Sequence, residues 1–392
     1  MLLLVLGIAL IVRLALILQM GPHYYFGDTP SYDRAARSIL AGAGPGADFP
    51  RAPFYPALMA LGYALGGTGN LFAVRLLQLL LGMGVVALCY ALGRRVAGPA
   101  AGLLAALAAT FEPTLVFTTG MLYPSVLYTL LLLAATLATV RTARSRRAAS
   151  AVGLGVLLGL CWLAEQVALV PGVALLGWLA AVDLRRGVRA LAVPALALVV
   201  SLVVVAPWLV YHQRAYGTPA VFVGKARDVL RFARTDTALY GVRAVRDSAD
   251  DASTRSAGGF FGRELRNLKA HPLGYLSDYT REFLHFFKPL PDRITSRNQY
   301  NRGWVKWMGG VYFLLVLLLA VPGWLLGRAP PRDRWLLALV TLSTAAIYAF
   351  FFTQTRYRVP VVPQMLVLAA LGAARLLPRG TPSRSAGERT DP

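Results

Sequence analysis

The sequence predicts an all-α polytopic membrane protein, a bundle of about ten transmembrane helices. Three observations carry this. Hydrophobic residues make up 57% of the 392 and charged residues only 15%, with a mean hydropathy of +0.56. A soluble domain carries about 25% charged residues, so this chain lacks the polar surface for a water-facing globule. Apolar stretches also recur at the length of about 20 residues that a bilayer core demands. Finally, short Arg-rich connections follow every second stretch, as the positive-inside rule requires of cytoplasmic loops. The net charge of +22, from 40 Lys and Arg against 18 Asp and Glu, therefore reads as topology, and no nucleic-acid partner is expected.

The first stretch, 2–20, has no basic region before it and no small-x-small cleavage signal after it. It reads as a retained helix, with Arg13 facing the bundle interior. Further spans are expected near 71–93, 98–118, 121–140, 149–165, 167–182, 190–211, 304–327, 334–352 and 358–377. Arg94 and Arg95 follow the second span, Arg141, Arg144, Arg146 and Arg147 the fourth, and Arg185, Arg186 and Arg189 the sixth. Arg328, Arg332 and Arg334 follow the eighth, and Arg375, Arg379 and Arg384 the tenth. Both termini are then cytoplasmic. The membrane domain runs over 1–377, with long outer loops at 21–70 and 212–303, and a cytoplasmic tail, 378–392, of disordered composition. The second loop holds half of the acids, among them Asp247, Asp250 and Asp251, and reads as a solvated segment. The Arg bias, with abundant Ala, Gly and Leu, suits a GC-rich bacterial genome and so the inner (plasma) membrane.

The first outer loop carries its own pattern. Thr29 before Pro30 fits an N-cap with proline at the first helical position. Tyr32, Ala35, Ala36, Ile39 and Leu40 then recur at helical spacing, with Asp33, Arg34, Arg37 and Ser38 opposite. That is an amphipathic helix suited to the membrane surface, stopped by the Gly42–Gly46 segment. The apolar segment from Pro53 to Leu65 is too short to span and reads as a second interfacial helix.

Ionisable groups facing outward are few: Asp28 and Asp33, Arg51 between the two interfacial helices, Glu112 before Pro113, Glu165, and Arg356 and Arg358 before the last span. Charges at membrane depth are costly, so each is a functional candidate. The bland readings are a cap for Asp28, an i,i+4 pair with Arg37 for Asp33, and snorkelling for the arginines. Cys89 and Cys161 lie in apolar runs and suggest no disulfide or zinc framework. The four histidines lack paired spacing, so no metal is expected.

Taken in order, Gly27-Asp28 with Tyr32, then Arg51-Ala52-Pro53-Phe54-Tyr55-Pro56, then Pro207-Trp208, then Arg356-Tyr357-Arg358-Val359-Pro360 with Pro363, the motifs resemble those of GT-C glycosyltransferases. The branch they are most similar to contains protein O-mannosyltransferases and bacterial lipid A aminoarabinose transferases. The resemblance implies inverting transfer of a sugar from a polyprenyl-phosphate carrier to a glycan, lipid or protein acceptor at the outer face of the membrane, with no cofactor. Asp28 stands where the family has its general base or acceptor-orienting acid. Thr29 stands where many members have a Glu, and Tyr123-Pro124-Ser125 where an acid opens the fourth span. A phosphate leaving group needs a cation, and the arginine fork suits it, which points to Arg356 and Arg358, with Arg51 next. Glu112 and Asp33 are secondary acidic candidates. A non-catalytic transporter or flippase for a lipid-linked substrate, or a surface-glycan polymerase or ligase, is the competing reading. A transporter should show internal repeats and charges buried within spans.

The alternation of Arg-rich loops makes the topology testable. Single cysteines at positions 145 and 253 should react with impermeant reagents from opposite sides of the membrane. Reaction of both from the outside would overturn the orientation.

Overall fold

The computed structural model describes residues 1–46, 49–184, 187–217, 303–351 and 353–376, together with 262, 265–266 and 268–291. The expected tail at 378–392 and most of the second outer loop lie outside the described residues. Among the described residues, each of the ten apolar stretches is mostly helical. Seven helices there are long and apolar enough to cross a membrane, and an eighth span arises if the bent pair Pro99–Phe111 and Pro113–Gly120 is counted as one. The helices at Ala148–Ala164 and Gln166–Val182 are apolar but shorter.

In chain order the helices are α1 (Leu2–Gln19), α2 (Thr29–Leu40), α3 (Phe54–Gly66), α4 (Leu71–Ala97), α5 (Pro99–Phe111), α6 (Pro113–Gly120) and α7 (Ser125–Ser145). They continue as α8 (Ala148–Ala164), α9 (Leu169–Leu184), α10 (Ala192–Tyr216), α11 (Pro272–Phe286), α12 (Gly303–Leu326), α13 (Pro331–Phe351) and α14 (Val362–Leu376). Helix α4 packs on α5, α8 on α10, α12 on α14, and α11 on α13. Small residues permit the closest crossings, the usual device where lipid removes the hydrophobic drive between helices. A Cβ at Gly323 would lie 1.8 Å from the Leu368 carbonyl, and one at Gly155 2.5 Å from that of Ala197. At one end of the bundle the buried Asp333, in the first turn of α13, accepts from Arg144 at 2.8 Å.

The amphipathic pattern at 29–40 is a helix, and so is 54–66. Helix α2 turns Tyr32, Ala35 and Ala36 inward, as its spacing dictates. The expected Thr29 cap is not made. Asp28 takes the N-cap position, and the Thr29 hydroxyl donates instead to the Leu122 carbonyl at 3.1 Å. Once Asp28 starts the helix, Thr29 falls inside the first turn and its side chain is free to reach a neighbouring segment.

The break between α5 and α6 organises the bundle. Pro113 has no N–H, and the residue before a proline is pushed to extended backbone. Glu112 accordingly sits at φ −63°, ψ 116°. The carbonyls at the end of α5 then need other donors. Arg13, fully buried, donates to Ala109 at 2.9 Å and Thr110 at 3.2 Å, and the Tyr312 hydroxyl donates to Ala108 at 2.7 Å. Glu112 turns to the other half, accepting from the Leu115 amide and the Thr114 hydroxyl, each at 2.6 Å. A cation thus meets a helix C-terminus and a carboxylate a helix N-terminus, as the helix dipole favours.

Replacing Arg13 by Leu leaves two buried carbonyls without donors, at about 1–3 kcal/mol each. Relief of the desolvated guanidinium offsets part of that. The expected net loss is roughly 1–3 kcal/mol, read as a lower thermal unfolding temperature in detergent. An unchanged midpoint would show that Arg13 is not what holds the break.

Candidate active site

The segment after α6 is fixed from α4. Arg75 donates to the carbonyls of Gly120 at 2.9 Å and His23 at 2.8 Å, and also to Gly21. Gln78 donates to Thr119 at 2.9 Å and Met121 at 2.5 Å, and accepts from the Tyr55 hydroxyl at 2.6 Å. Both side chains are buried within an apolar helix. They tie together the turn after α1, the start of α3 and the connection from α6 to α7. Tyr123 is thereby held against Phe26, ring centroids 5.0 Å apart, and against Tyr32 at 5.8 Å.

Around these rings stand three of the residues singled out from the sequence. Asp28 makes no capping bond; its Oδ1 lies 3.3 Å from Arg51. Arg51 lies over the Tyr32 ring at 5.7 Å. Burial, first of all, pushes the Tyr32 phenol well above its ordinary value, so that ring is a neutral wall. Arg356 lies over Phe26 at 4.6 Å, over Tyr123 at 5.4 Å and over Tyr357 at 5.4 Å. Its Nε is buried without a hydrogen-bond partner, and it makes no ion pair among the described residues. Asp28 is close enough to act on it electrostatically. Beside Arg356 lies a narrow cleft lined by Tyr123, Tyr128, Glu165, Tyr348 and Tyr357 among others.

The remaining candidates lie elsewhere. Arg358, two residues from Arg356 and on the other side of its 3-10 turn (Thr355–Val361), donates to Lys288 at 2.5 Å and Pro289 at 3.4 Å, and its guanidinium covers Phe313. Asp33 accepts from Arg37 at 2.9 Å and from the Tyr63 hydroxyl. Burial and that carboxylate push the Tyr63 phenol far above its ordinary range. Glu112 is the buried cap of α6. The structure thus gathers Asp28, Arg51 and Arg356 and sets Arg358, Asp33 and Glu112 in hydrogen-bond networks of their own. Sequence reasoning named Glu165 without joining it to this cleft, and missed Tyr123, Tyr128, Arg75 and Gln78. Arg75 and Gln78 did carry a signal, a cation and an amide three residues apart inside an apolar run, of the kind already weighed for Arg13.

Arg358→Ala should cost thermal stability, because two part-buried carbonyl contacts and the packing over Phe313 go together. Arg356→Ala should cost less, because the guanidinium makes ring contacts but no ion pair among the described residues. Equal destabilisation by the two would contradict this division of roles.

Residues 50–211 match the family model described as dolichyl-phosphate-mannose-protein mannosyltransferase. No curated protein sequence matches the chain. Among solved structures it is similar to ArnT from Cupriavidus metallidurans bound to undecaprenyl phosphate, with TM-score 0.62 and 19% identity, over 96% of this chain and 60% of that one. It is also similar to the archaeal oligosaccharyltransferase AglB from Archaeoglobus fulgidus in complex with an inhibitory peptide and a dolichol-phosphate, with TM-score 0.55 and 14% identity, over 96% of this chain and 50% of that one. The chain spans about 60% of the length of ArnT and half that of AglB. The likeness to the solved structures is one of fold: helical throughout among the described residues, this chain shares the fold of ArnT and AglB and matches a mannosyltransferase family model over residues 50–211.

Proposed function

We propose that the protein transfers a sugar from a polyprenyl-phosphate carrier to a glycan, lipid or protein acceptor at the outer face of a bacterial inner membrane. The termini are cytoplasmic in this reading, and α2 and α3 lie along the outer membrane surface. The observation that carries it is Arg356, a half-buried cation with a buried, unbonded Nε and no ion pair among the described residues, facing a cleft and standing across two aromatic rings from the Asp28–Arg51 pair. Such a group wants an anion, and the solved structures of similar fold were obtained with undecaprenyl phosphate and with dolichol-phosphate. The likeness of residues 50–211 to a mannosyltransferase family supports the same chemistry.

The step follows from the chemistry of the groups. An acceptor hydroxyl is a poor nucleophile and needs a carboxylate within hydrogen-bond reach. Its oxygen attacks the anomeric carbon from the face opposite the phosphate. The new C–O bond forms as the bond from that carbon to the phosphate oxygen breaks, which inverts the centre. Asp28 takes the hydroxyl proton, and polyprenyl phosphate leaves with the electron pair of the broken bond. Arg356 holds the growing negative charge in a low-dielectric site. Arg51, paired with Asp28 in the structure, is a second cation for the phosphate; once it turns there, Asp28 is released to accept a proton. Arg358 supports the turn that carries Arg356.

Three variants test this. Asp28→Asn keeps shape but cannot take the proton, so it should bind undecaprenyl phosphate normally and lose turnover by a factor on the order of 10² or more. Arg356→Ala should weaken undecaprenyl-phosphate binding, with Arg356→Lys restoring only part because the fork is lost. Near-normal release of polyprenyl phosphate by Asp28→Asn, across a panel of polyprenyl-phosphate sugars, would remove Asp28 from the chemistry. Movement of intact donor across vesicles without its breakdown would favour a carrier instead.

A further inference from the structure

Helix α11 (Pro272–Phe286) divides into three faces. Tyr279, Glu282 and Phe286, at i, i+3 and i+7, turn toward α13 and the segment after it. The Tyr279 hydroxyl donates to the Ala346 carbonyl at 3.1 Å, and Glu282 accepts from the Thr353 amide at 2.7 Å. Phe286 is fully buried, its ring stacked on Tyr348 with centroids 6.4 Å apart. Asp278 and Arg281, at i and i+3, lie 3.7 Å apart on a polar face. Leu273, Leu276, Thr280 and Leu284, at i, i+3, i+7 and i+11, form the third. Its leucines are 81%, 59% and 62% exposed among the described residues. The polar group in that stripe needs no water, because the Thr280 hydroxyl donates to the Leu276 carbonyl at 2.8 Å.

An apolar stripe beside a polar face marks contact with a membrane or with protein. The attachment to α13 favours the membrane. Helix α13 has 21 residues and is apolar enough to span, about 32 Å at 1.5 Å per residue, against about 30 Å for a bilayer core. Ala346 lies five residues before its end at Phe351, so about 7 Å inside that end. Between Tyr279 and Phe286, α11 advances about 10 Å, while their partners Ala346 and Tyr348 are only about 3 Å apart along α13. Helix α11 therefore crosses the span instead of running along it. It lies in the membrane plane, at the depth of about 5–10 Å that surface helices take. The sequence reads 212–303 as solvated because its charges dominate any average over the segment; a division by face escapes such an average.

We infer that α11 is a membrane-surface helix whose Leu273, Leu276 and Leu284 side chains enter the acyl region of the leaflet at the Arg356 end of the bundle. Asp278 and Arg281 stay in the headgroup layer. The partner is the lipid leaflet, which at that depth already surrounds α13.

The test uses the full chain in nanodiscs of phosphatidylethanolamine and phosphatidylglycerol. Both native cysteines are replaced (Cys89→Ala, Cys161→Ala), and one nitroxide at a time is placed on Leu276→Cys, Leu284→Cys or Arg281→Cys. These side chains are exposed, so the unfolding midpoint should match that of the cysteine-free parent. Leu273→Cys replaces either leucine variant that fails this check. At the leucine positions, collision with oxygen, which concentrates in lipid, should exceed collision with a water-soluble nickel chelate severalfold; at 281 the ratio should invert. Nickel access at the leucines equal to that at 281 would return the helix to water and overturn the inference. Shielding of the leucines from both reagents would overturn it as well, because another segment of the chain or a second copy would then cover the stripe. None of these outcomes depends on which donor or acceptor the protein uses.

Discussion

A helix inside a bilayer satisfies its own backbone, but every interruption exposes carbonyls and amides that no water can reach. The rest of this structure depends on how those interruptions are answered. Arg13, Arg75, Gln78 and the Thr29 hydroxyl supply donors to the carbonyls of residues 109–110, 119–122, 21 and 23. Each joins elements distant in sequence. Together they bind α1, α4 and the α6–α7 connection into one frame, and Tyr123 is part of that frame. Remove the donors and the carbonyls must find others, which means moving the segments that form one wall of the cleft.

The same economy separates structural charges from available ones. Asp333 is 1% exposed and bound to Arg144; Glu112 is 1% exposed and occupied by an amide and a hydroxyl. Breaking either leaves a buried charge alone, which is strongly destabilising. The Asp28–Arg51 pair differs. Its side chains are 34% and 23% exposed and the contact is 3.3 Å. Pairs open to water contribute only about 0–1 kcal/mol, so exchanging one partner for a phosphate costs little. Of the outward-facing acids paired with an arginine, Asp28 is therefore the one whose partner is most easily exchanged; Asp33 holds two donors and is 7% exposed.

Much of the fold was legible in the sequence because membrane helices announce themselves by composition. Among the described residues the ten apolar stretches are mostly helical, and the amphipathic spacing at 29–40 turned Tyr32, Ala35 and Ala36 inward, while Leu40 is exposed and Asp33, expected on the opposite face, is buried. Arg13 inside its first helix was marked by its cost alone, and the structure buries it. The site was legible only in part. Asp28, Arg51 and Arg356 stood out as charges at the boundary. What the sequence could not separate was Arg356 from Arg358, two positions apart in one motif. Their difference lies in rotation about a 3-10 turn and in what α11 brings to it, a tertiary contact across about 70 residues of chain. Tyr128 was unreadable for a related reason: a tyrosine in an apolar helix is ordinary, and only its place in the cleft wall makes it notable.

Helix α11 and the residues just after it attach to the chain on both sides of Arg356. Glu282 accepts from the Thr353 amide at 2.7 Å, and Arg358 donates to the carbonyls of Lys288 and Pro289. The two attachments flank Arg356 in sequence, three residues before it and two after. The Tyr279 hydroxyl adds a third, to the Ala346 carbonyl at 3.1 Å on α13. A guanidinium with no ion pair among the described residues, next to aromatic faces, would otherwise swing toward water or toward the nearest carboxylate. Holding the backbone on both sides restricts that swing and keeps the charge over Phe26, Tyr123 and Tyr357. Preorganisation of this kind is what lets a single cation act strongly on a phosphate, because little reorganisation is left for the moment of binding. Helix α11 and the residues just after it thus bear on the proposed chemistry: they hold the turn that carries the charge.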